Sequence, residues 1–159
     1  MNKKTSIIML AYKEPEKFKK MFETLIKHTH QDKTPYEIIV LINGCDEEFK
    51  KYIYSLKKHI DVICESNENL GASIGYNRGV DIAKGHYLCF FNTDYYMDDN
   101  WLETMIECFE HKPNIGLVSC CTNVSGNIYA FETSAEGVPI PDPEPIPIPD
   151  RSKNKTPLR

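Results

Sequence analysis

Three polar residues, Asn92, Thr93 and Asp94, follow directly on an apolar run, HYLCFF (86–91), that predicts a buried strand. A carboxylate that leaves a buried strand at a sheet edge is well placed to hold a hard divalent cation, since Mg²⁺ and Mn²⁺ prefer oxygen ligands. Such a cation can bridge two phosphates of a nucleotide. The competing interpretation is that Asn92 and Asp94 are turn residues, which this spacing alone also allows.

The elements that would position these residues alternate between strand and helix along the chain. Apolar, β-prone runs predict strands over 5–11, 37–42, 60–64, 86–91 and 115–121. Helical patterns begin at Pro15, after Asp46, near Ala72 and after Asp98 or Asp99, either of which can cap the last helix. Parallel neighbours need crossover connections, so the order predicts an α/β, Rossmann-like fold with a mostly parallel sheet and helices on both faces.

Ligands of open α/β sheets bind outside the carboxyl ends of the strands, because loops and helix N-termini converge there. The loops predicted at these ends are all polar. They carry the candidate residues Ala11, Tyr12 and Glu14, then Asn43 and Asp46, then Asn67 and Asn69, and finally Asn92, Thr93 and Asp94.

The third helix is predicted to end at Gly85, a natural C-terminal stop. It contains two glycines, Gly75 and Gly79, on the same side as Ala72 and Ile82. Each glycine inside a helix costs about 1 kcal/mol relative to alanine. A close approach of the helix to another backbone or to a ligand would account for them.

Composition excludes some classes of function. The chain has 159 residues, 26% of them charged, and a formal net charge of −4, so a basic nucleic-acid footprint is absent. Its six cysteines include no C-x-x-C pair and suggest reduced core thiols. The N-terminal apolar run is too short for a signal peptide, and no stretch approaches the length of a membrane span. We therefore expect a cytoplasmic protein, acting either in solution or at the cytoplasmic membrane surface.

Proline occupies every second position from Pro139 to Pro149, which favours polyproline II and excludes a helix or a central strand. The sequence after it is polar and predicts disorder. We expect a domain over residues 1–136 and a Pro-rich tail over 137–159, which is either a plain disordered tail or a rigid spacer toward a protein partner.

An ordered set of motifs over residues 4–121 resembles glycosyltransferase family 2. It comprises SIIMLAYKEPEKFKKMFETLIKHT, YEIIVLINGCDEE, NENLGASIGYNRGVDIAKGHYLCFFNTDYYMDDNWLE and NIGLVS. The most specific part is N-L-G-x-x-x-G-x-N-x-G followed by A-K-G, an apolar strand, N-x-D and W-L. The resemblance implies the nucleotide-sugar-binding half of an A-type glycosyltransferase fold, shortened at its C-terminal end.

The resemblance also implies roles for individual residues. Ala11 and Tyr12 would lie against the base, while Asn43 and Asn77 would approach the nucleoside. Glu14, Asn69, Asn92 and Thr93 would complete the nucleotide-sugar site, and Asp94 would hold Mn²⁺ or Mg²⁺. Three positions depart from the family pattern: Ile42 and Asn92 replace acids, and Tyr76 replaces an arginine. Neither Ile42 nor Asn92 rules out binding, but Ile42 leaves the donor's identity open.

The resemblance implies a metal-dependent, inverting enzyme that moves a sugar from a UDP-, GDP- or dTDP-sugar to a hydroxyl of a glycan or lipid-linked acceptor. The catalytic base is unknown, since the only acids between the fifth strand and the proline run are Glu132 and Glu136. A protein partner that supplies the acceptor half is one solution. The alternatives are a non-catalytic nucleotide-sugar-binding or interaction module with the same fold and, less favoured because the first loop lacks glycine, a nucleotidyltransferase.

Overall fold

The computed structural model of the protein describes residues 3–93, 95–111 and 114–119. The chain divides into two compact units, Met1–Val118 and Ser119–Arg159, and the elements below belong to the first. The predicted boundary at residue 136 and the proline run lie outside the described residues, so that both stay predictions.

Four strands and four helices alternate in the described part of the chain. In order they are β1 (Thr5–Ala11), α1 (Pro15–His28), β2 (Tyr36–Asn43), α2 (Glu47–Ser55), β3 (Val62–Ser66), α3 (Gly71–Ile82), β4 (Tyr87–Phe91) and α4 (Trp101–His111). The strands form one parallel sheet in the order β3-β2-β1-β4. Consecutive strands are each joined by a helix, giving three strand–helix–strand units, β1-α1-β2, β2-α2-β3 and β3-α3-β4. This confirms the predicted α/β class.

Side chains along β1 and β2 point alternately to the two faces of the sheet. Ile7, Met9 and Ala11 belong to the main apolar core together with buried side chains of the helices α1, α2 and α4. The intervening residues Ile8 and Leu10 face α3. Helices therefore cover both faces, and side chains of both strands are buried on both sides, as their continuous apolar sequences indicate.

Helix α3 lies close to the sheet because of its two glycines. A Cβ added at Gly79 would collide with Cγ2 of Ile8, and one at Gly75 would collide with Cδ1 of Leu10. The predicted packing reason for these glycines is confirmed. Their cost to helix stability is offset by the contact that they allow between α3 and β1.

A buried carboxylate joins three segments at the amino ends of the strands. Glu37 is 3% exposed and accepts hydrogen bonds from Lys4 Nζ at 2.9 Å, Ser6 Oγ at 2.5 Å and the backbone N–H of Lys84 at 2.6 Å. The N–H of Gly85 donates in turn to Ser6 Oγ at 2.8 Å. These bonds tie residues 84 and 85 to the sheet, and Ala83 is already extended, with φ −63° and ψ 138°. Helix α3 therefore ends at Ile82 rather than at the predicted Gly85.

Burial raises the pKa of Glu37, but the hydrogen bonds from Ser6, Lys4 and the backbone of Lys84 outweigh it and lower the pKa to about 2. The group therefore stays ionised at neutral pH inside the fold. Its charge is matched by Lys4, whose ammonium lies 2.9 Å away.

Two predicted details of the C-terminal elements differ from the structure. Residues 115–119 form no strand, and Leu117 is 82% exposed; residues 120 and 121 lie outside the described residues. An apolar run becomes a strand only where it finds an edge to pair with, which composition does not determine. Helix α4 begins at Trp101, so the residue before it is Asn100 rather than a predicted cap, Asp98 or Asp99.

Cys45, Cys64 and Cys108 are free thiols. Cys45 is buried, and its thiol donates to the carbonyl of Ala11 at 3.2 Å. Burial raises the pKa of this thiol, which makes it an unreactive core group of the predicted kind.

Candidate nucleotide-sugar site

A cavity of about 530 Å³ opens at the carboxyl ends of the strands. Six residues predicted from the sequence line it, namely Tyr12, Glu14, Asn43, Asn69, Asn92 and Thr93. Ala11 is fully buried at the end of β1, and Asn77 is exposed on α3. Asp94 lies outside the described residues. The structure thus gathers the first, second, third and fourth strand-end loops around one space.

Asn43, the last residue of β2, connects two of these loops. It is 1% exposed; its Nδ2 donates to Asn69 Oδ1 at 2.8 Å, and its Oδ1 accepts from the N–H of Leu70 at 2.9 Å. Asn69 Oδ1 also accepts from the N–H of Gly71 at 2.9 Å. The side chain of Asn43 therefore positions the entry to α3, and this contact could not be read from the sequence.

Gly44 allows this close arrangement. Its φ is +75°, and an added Cβ would lie 2.7 Å from the backbone nitrogen of Asn69. The conformation and the contact both exclude a larger residue, which explains the Asn-Gly sequence at the end of β2.

Glu14 sits on the cavity in a left-handed backbone conformation, with φ 60° and ψ 58°, immediately before α1. Its carbonyl accepts from the N–H groups of Lys17 and Phe18, and its carboxylate lies 2.6 Å from Lys17 Nζ. A non-glycine residue in this region is strained by about 1–3 kcal/mol, and such strain is found most often at functional sites.

Aromatic side chains form the remaining wall, and sequence reasoning missed them as a group. Tyr76, Phe90 and Tyr95 line the cavity together with Tyr12. Tyr76 stands where the family pattern has an arginine; its hydroxyl donates to the carbonyl of Phe91 at 2.9 Å. The alternation of β4, which buries Phe91 on one face, was the signal that Phe90 points to the other.

The chain beyond the cavity returns along α1. The N–H of Met97 donates to Thr24 Oγ1 at 3.2 Å, and Nε1 of Trp101 donates to Thr29 Oγ1 at 2.9 Å. Asp99 Oδ1 lies 2.6 Å from His28 Nδ1. The hydrogen bond to His28 lowers the pKa of the Asp99 carboxyl.

His28, Asp98 and Asp99 place three ligand atoms within 4.8 Å of one another, and both aspartates are exposed. This group lies at the C-terminal end of α1, whereas the cavity lies at its N-terminal end. None of the three residues lines the cavity, although Tyr95, which does, precedes Asp98 by three positions. A metal held inside the cavity would therefore need other ligands.

The fold and the cavity together define an α/β domain whose ligand site lies at the carboxyl ends of parallel strands. Residues 6–155 match the family model described as glycosyl transferase family 2. The chain belongs to this family.

Relatives and solved structures agree with this assignment. The glucosyl-dolichyl phosphate glucuronosyltransferase of Haloferax volcanii is 25% identical over 114 residues, which cover 70% of this chain and 36% of the relative. The mannosyltransferase PcManGT from Pyrobaculum calidifontis, solved with GDP-Man and Mn²⁺, superposes with a TM-score of 0.65 at 16% identity, covering 76% of this chain and 36% of that one. S. aureus TarS 1-349 with UDP-GlcNAc gives a TM-score of 0.60 at 15% identity, covering 73% and 37%.

These likenesses show that the chain has the A-type glycosyltransferase fold. The chain spans about a third of the length of these relatives. Among the described residues, no helix is both long and apolar enough to cross a membrane.

Proposed function

We propose that the chain binds a nucleoside diphosphate sugar in the cavity and transfers its sugar to a hydroxyl of a glycan or lipid-linked acceptor. The observation that carries this proposal is the convergence of four strand-end loops, with six predicted residues, on one cavity of about 530 Å³. This volume lies within the range of small-molecule sites. Family membership supports the donor class, and the named partners of PcManGT and TarS make GDP- and UDP-sugars the first candidates.

Each side of the cavity has a proposed role. Tyr12 offers its ring to the base of the nucleotide. Asn69 also lines the cavity, on a segment that the side chain of Asn43 holds in place. Asn92 and Thr93, at the end of β4, lie toward the diphosphate. Ala11 and Asn77 do not line the cavity. We propose that they support the site through the segments on which they lie, the end of β1 and helix α3.

Asn92, Thr93 and Glu14 line the cavity and offer oxygen atoms, which are the ligands that a hard cation prefers. Asp94, assisted by Asn92, would hold Mn²⁺ or Mg²⁺, which would neutralise the charge that develops on the departing diphosphate. Asn92 Oδ1 accepts from the N–H of Thr93 at 3.0 Å, which fixes the orientation of the amide beside this position.

The acceptor oxygen would attack the anomeric carbon opposite the diphosphate, so one C–O bond forms as another breaks and the configuration inverts. The acceptor proton would pass to a base as the nucleoside diphosphate leaves. The base is not assigned; Glu132 and Glu136 lie outside the described residues. A protein partner that supplies the acceptor half, and a cytoplasmic location, stay predictions.

Isothermal titration tests the donor site directly. The full chain is titrated with UDP, GDP and dTDP, with and without Mn²⁺, and Asp94→Ala is compared with Asp98→Ala, an exposed aspartate of the same connection. We expect Mn²⁺-dependent binding of one nucleotide that Asp94→Ala weakens at least tenfold and Asp98→Ala leaves unchanged. Absence of binding in the wild-type chain would contradict the proposal and favour a non-catalytic interaction module.

A further inference from the structure

An aromatic side chain of β4, Phe90, is exposed at the cavity instead of being buried in the core. Phe90 is 50% exposed, whereas the next residue, Phe91, is 5% exposed and belongs to the core. Tyr95, also on the cavity, is 41% exposed. Exposed apolar side chains that cluster at a concave site, rather than lying singly on the surface, mark a place where a ligand binds.

The ring of Phe90 is held in place by its neighbours. Tyr76 meets it edge to face, with ring centroids 5.5 Å apart and an angle of 80° between the planes. Tyr76 is itself anchored by its hydroxyl bond to the carbonyl of Phe91. In the sheet, Phe90 is registered beside Ile8 of β1, a residue that is fully buried under α3. The aromatic surface is therefore positioned before any ligand arrives.

The two ends of the cavity differ in chemistry. Asn43 ends β2 and Asn69 lies in the loop after β3, whereas Phe90 belongs to β4, on the far side of β1. Two strand spacings separate β2 from β4, or about 10 Å. That distance suits an extended ligand with unlike ends, such as a nucleoside at one end and a sugar at the other.

Phe90 stands on the same strand as the residues proposed to face the diphosphate. Asn92 follows it by two residues, about 7 Å along an extended chain. A pyranose attached to the diphosphate would thus lie next to β4 and not next to the amides of β2 and β3. The face of a pyranose carries C–H groups that pack on an aromatic ring, while its hydroxyls remain free for hydrogen bonds around the rim.

We propose that Phe90, braced by Tyr76, is the stacking surface for the sugar ring of the donor and not for its base. This inference rests on the proposed function, because it requires that the cavity accept a nucleotide sugar. Phe90 would then distinguish a nucleotide sugar from the bare nucleotide, whereas Tyr12 and the end of the cavity near Asn43 and Asn69 would contact the base.

Phe90→Ala in the full chain tests the assignment. With Mn²⁺ present, UDP is compared with UDP-glucose and UDP-N-acetylglucosamine, and GDP is compared with GDP-mannose. The variant should lose about tenfold in affinity for the nucleotide sugar that the wild type binds, with less than a twofold change for the matching nucleotide. Phe90→Tyr keeps the ring and should bind the nucleotide sugar with the wild-type affinity. It keeps the proposal testable if Phe90→Ala does not fold.

Leu88→Ala is the matched control. Leu88 lies two residues earlier on β4, faces the same side and is 43% exposed, but it is not part of the cavity lining. It should change neither affinity. Equal losses for nucleotide and nucleotide sugar, or no loss for either, would overturn the assignment of Phe90 while leaving the proposed function intact. A wild-type chain that binds neither these compounds nor dTDP would overturn both.

Discussion

The buried carboxylate of Glu37 gives a quantitative prediction for the dependence of stability on pH. Its pKa is lowered from the usual 4.5 to about 2, and each pKa unit is equivalent to about 1.4 kcal/mol. Ionised Glu37 therefore contributes about 3 kcal/mol to the free energy of unfolding at pH 7. Because the pKa is depressed in the folded state, this contribution is complete above pH 4.5 and is lost as the pH falls toward 2.

The effect at pH 3 can be worked out from the same two values. At that pH the unfolded carboxyl is almost fully protonated while the folded one is mostly ionised, so about 2 kcal/mol of the contribution has already been lost. Glu37→Gln should lower the free energy of unfolding by about 3 kcal/mol at pH 7, since the neutral amide also presents donors toward the donors of Lys4, Ser6 and Lys84.

Urea denaturation at pH 7 and pH 3 measures both quantities. Trp101 is the single tryptophan of the chain, and its ring packs against Phe91 with centroids 5.4 Å apart, so its fluorescence reports unfolding. Wild type should lose about 2 kcal/mol more than Glu37→Gln between the two pH values. Glu47→Gln, which removes a carboxylate whose side chain is 80% exposed beside Lys50, serves as a control and should change stability little. Equal losses in wild type and Glu37→Gln would refute the reasoning.

Three further substitutions test the packing and the loops. Gly79→Ala should destabilise the chain by about 1–3 kcal/mol in thermal or urea unfolding, despite its better helix propensity, because the new Cβ meets Ile8. Asn43→Ala should cost about 2 kcal/mol and speed hydrogen exchange of the Leu70 N–H, which loses its acceptor. Glu14→Gly should be more stable than Glu14→Ala by about 1 kcal/mol in the same unfolding assays, because only glycine adopts φ 60° without strain.

A second substitution on α3 serves as the control for Gly79→Ala. Ser73→Ala, at an exposed position of α3, should be neutral or slightly stabilising. If Gly79→Ala behaves like Ser73→Ala, the close approach of α3 to the sheet is not required. If hydrogen exchange in Asn43→Ala is unchanged at Leu70, the amide does not hold the entry to α3.

The sequence predicts local elements and their order, because hydrophobic periodicity and caps are local properties. Pro15 begins α1 and Asp46 caps α2 through the N–H of Phe49, both as expected. The end of α3 was misplaced because it depends on Glu37, which lies 47 positions away from Lys84. The strand expected over 115–121 does not form in its described part, residues 115–119, for a related reason. Strand pairing depends on the available sheet edge as well as on the segment itself.

Sequence predicted the polar residues of the candidate site, but neither its aromatic wall nor its internal contacts. Topology alone brings Tyr12, Asn43, Asn69 and Asn92 to the same edge of the sheet. It does not show that both polar atoms of the Asn43 side chain are used within the protein, nor that an aromatic wall lies opposite. Both facts arise from tertiary contacts between segments that are distant in sequence.

The contact between Gly79 and Ile8 links two positions that would otherwise vary independently. A side chain at position 79 is compatible with the fold only if position 8 gives up the branch that it would meet. Among homologous sequences, the two positions should therefore covary: glycine at 79 should accompany a β-branched residue at 8, and alanine at 79 should accompany a residue unbranched at Cβ. The distance between α3 and the sheet is therefore set jointly by positions 8 and 79, and neither residue determines it alone.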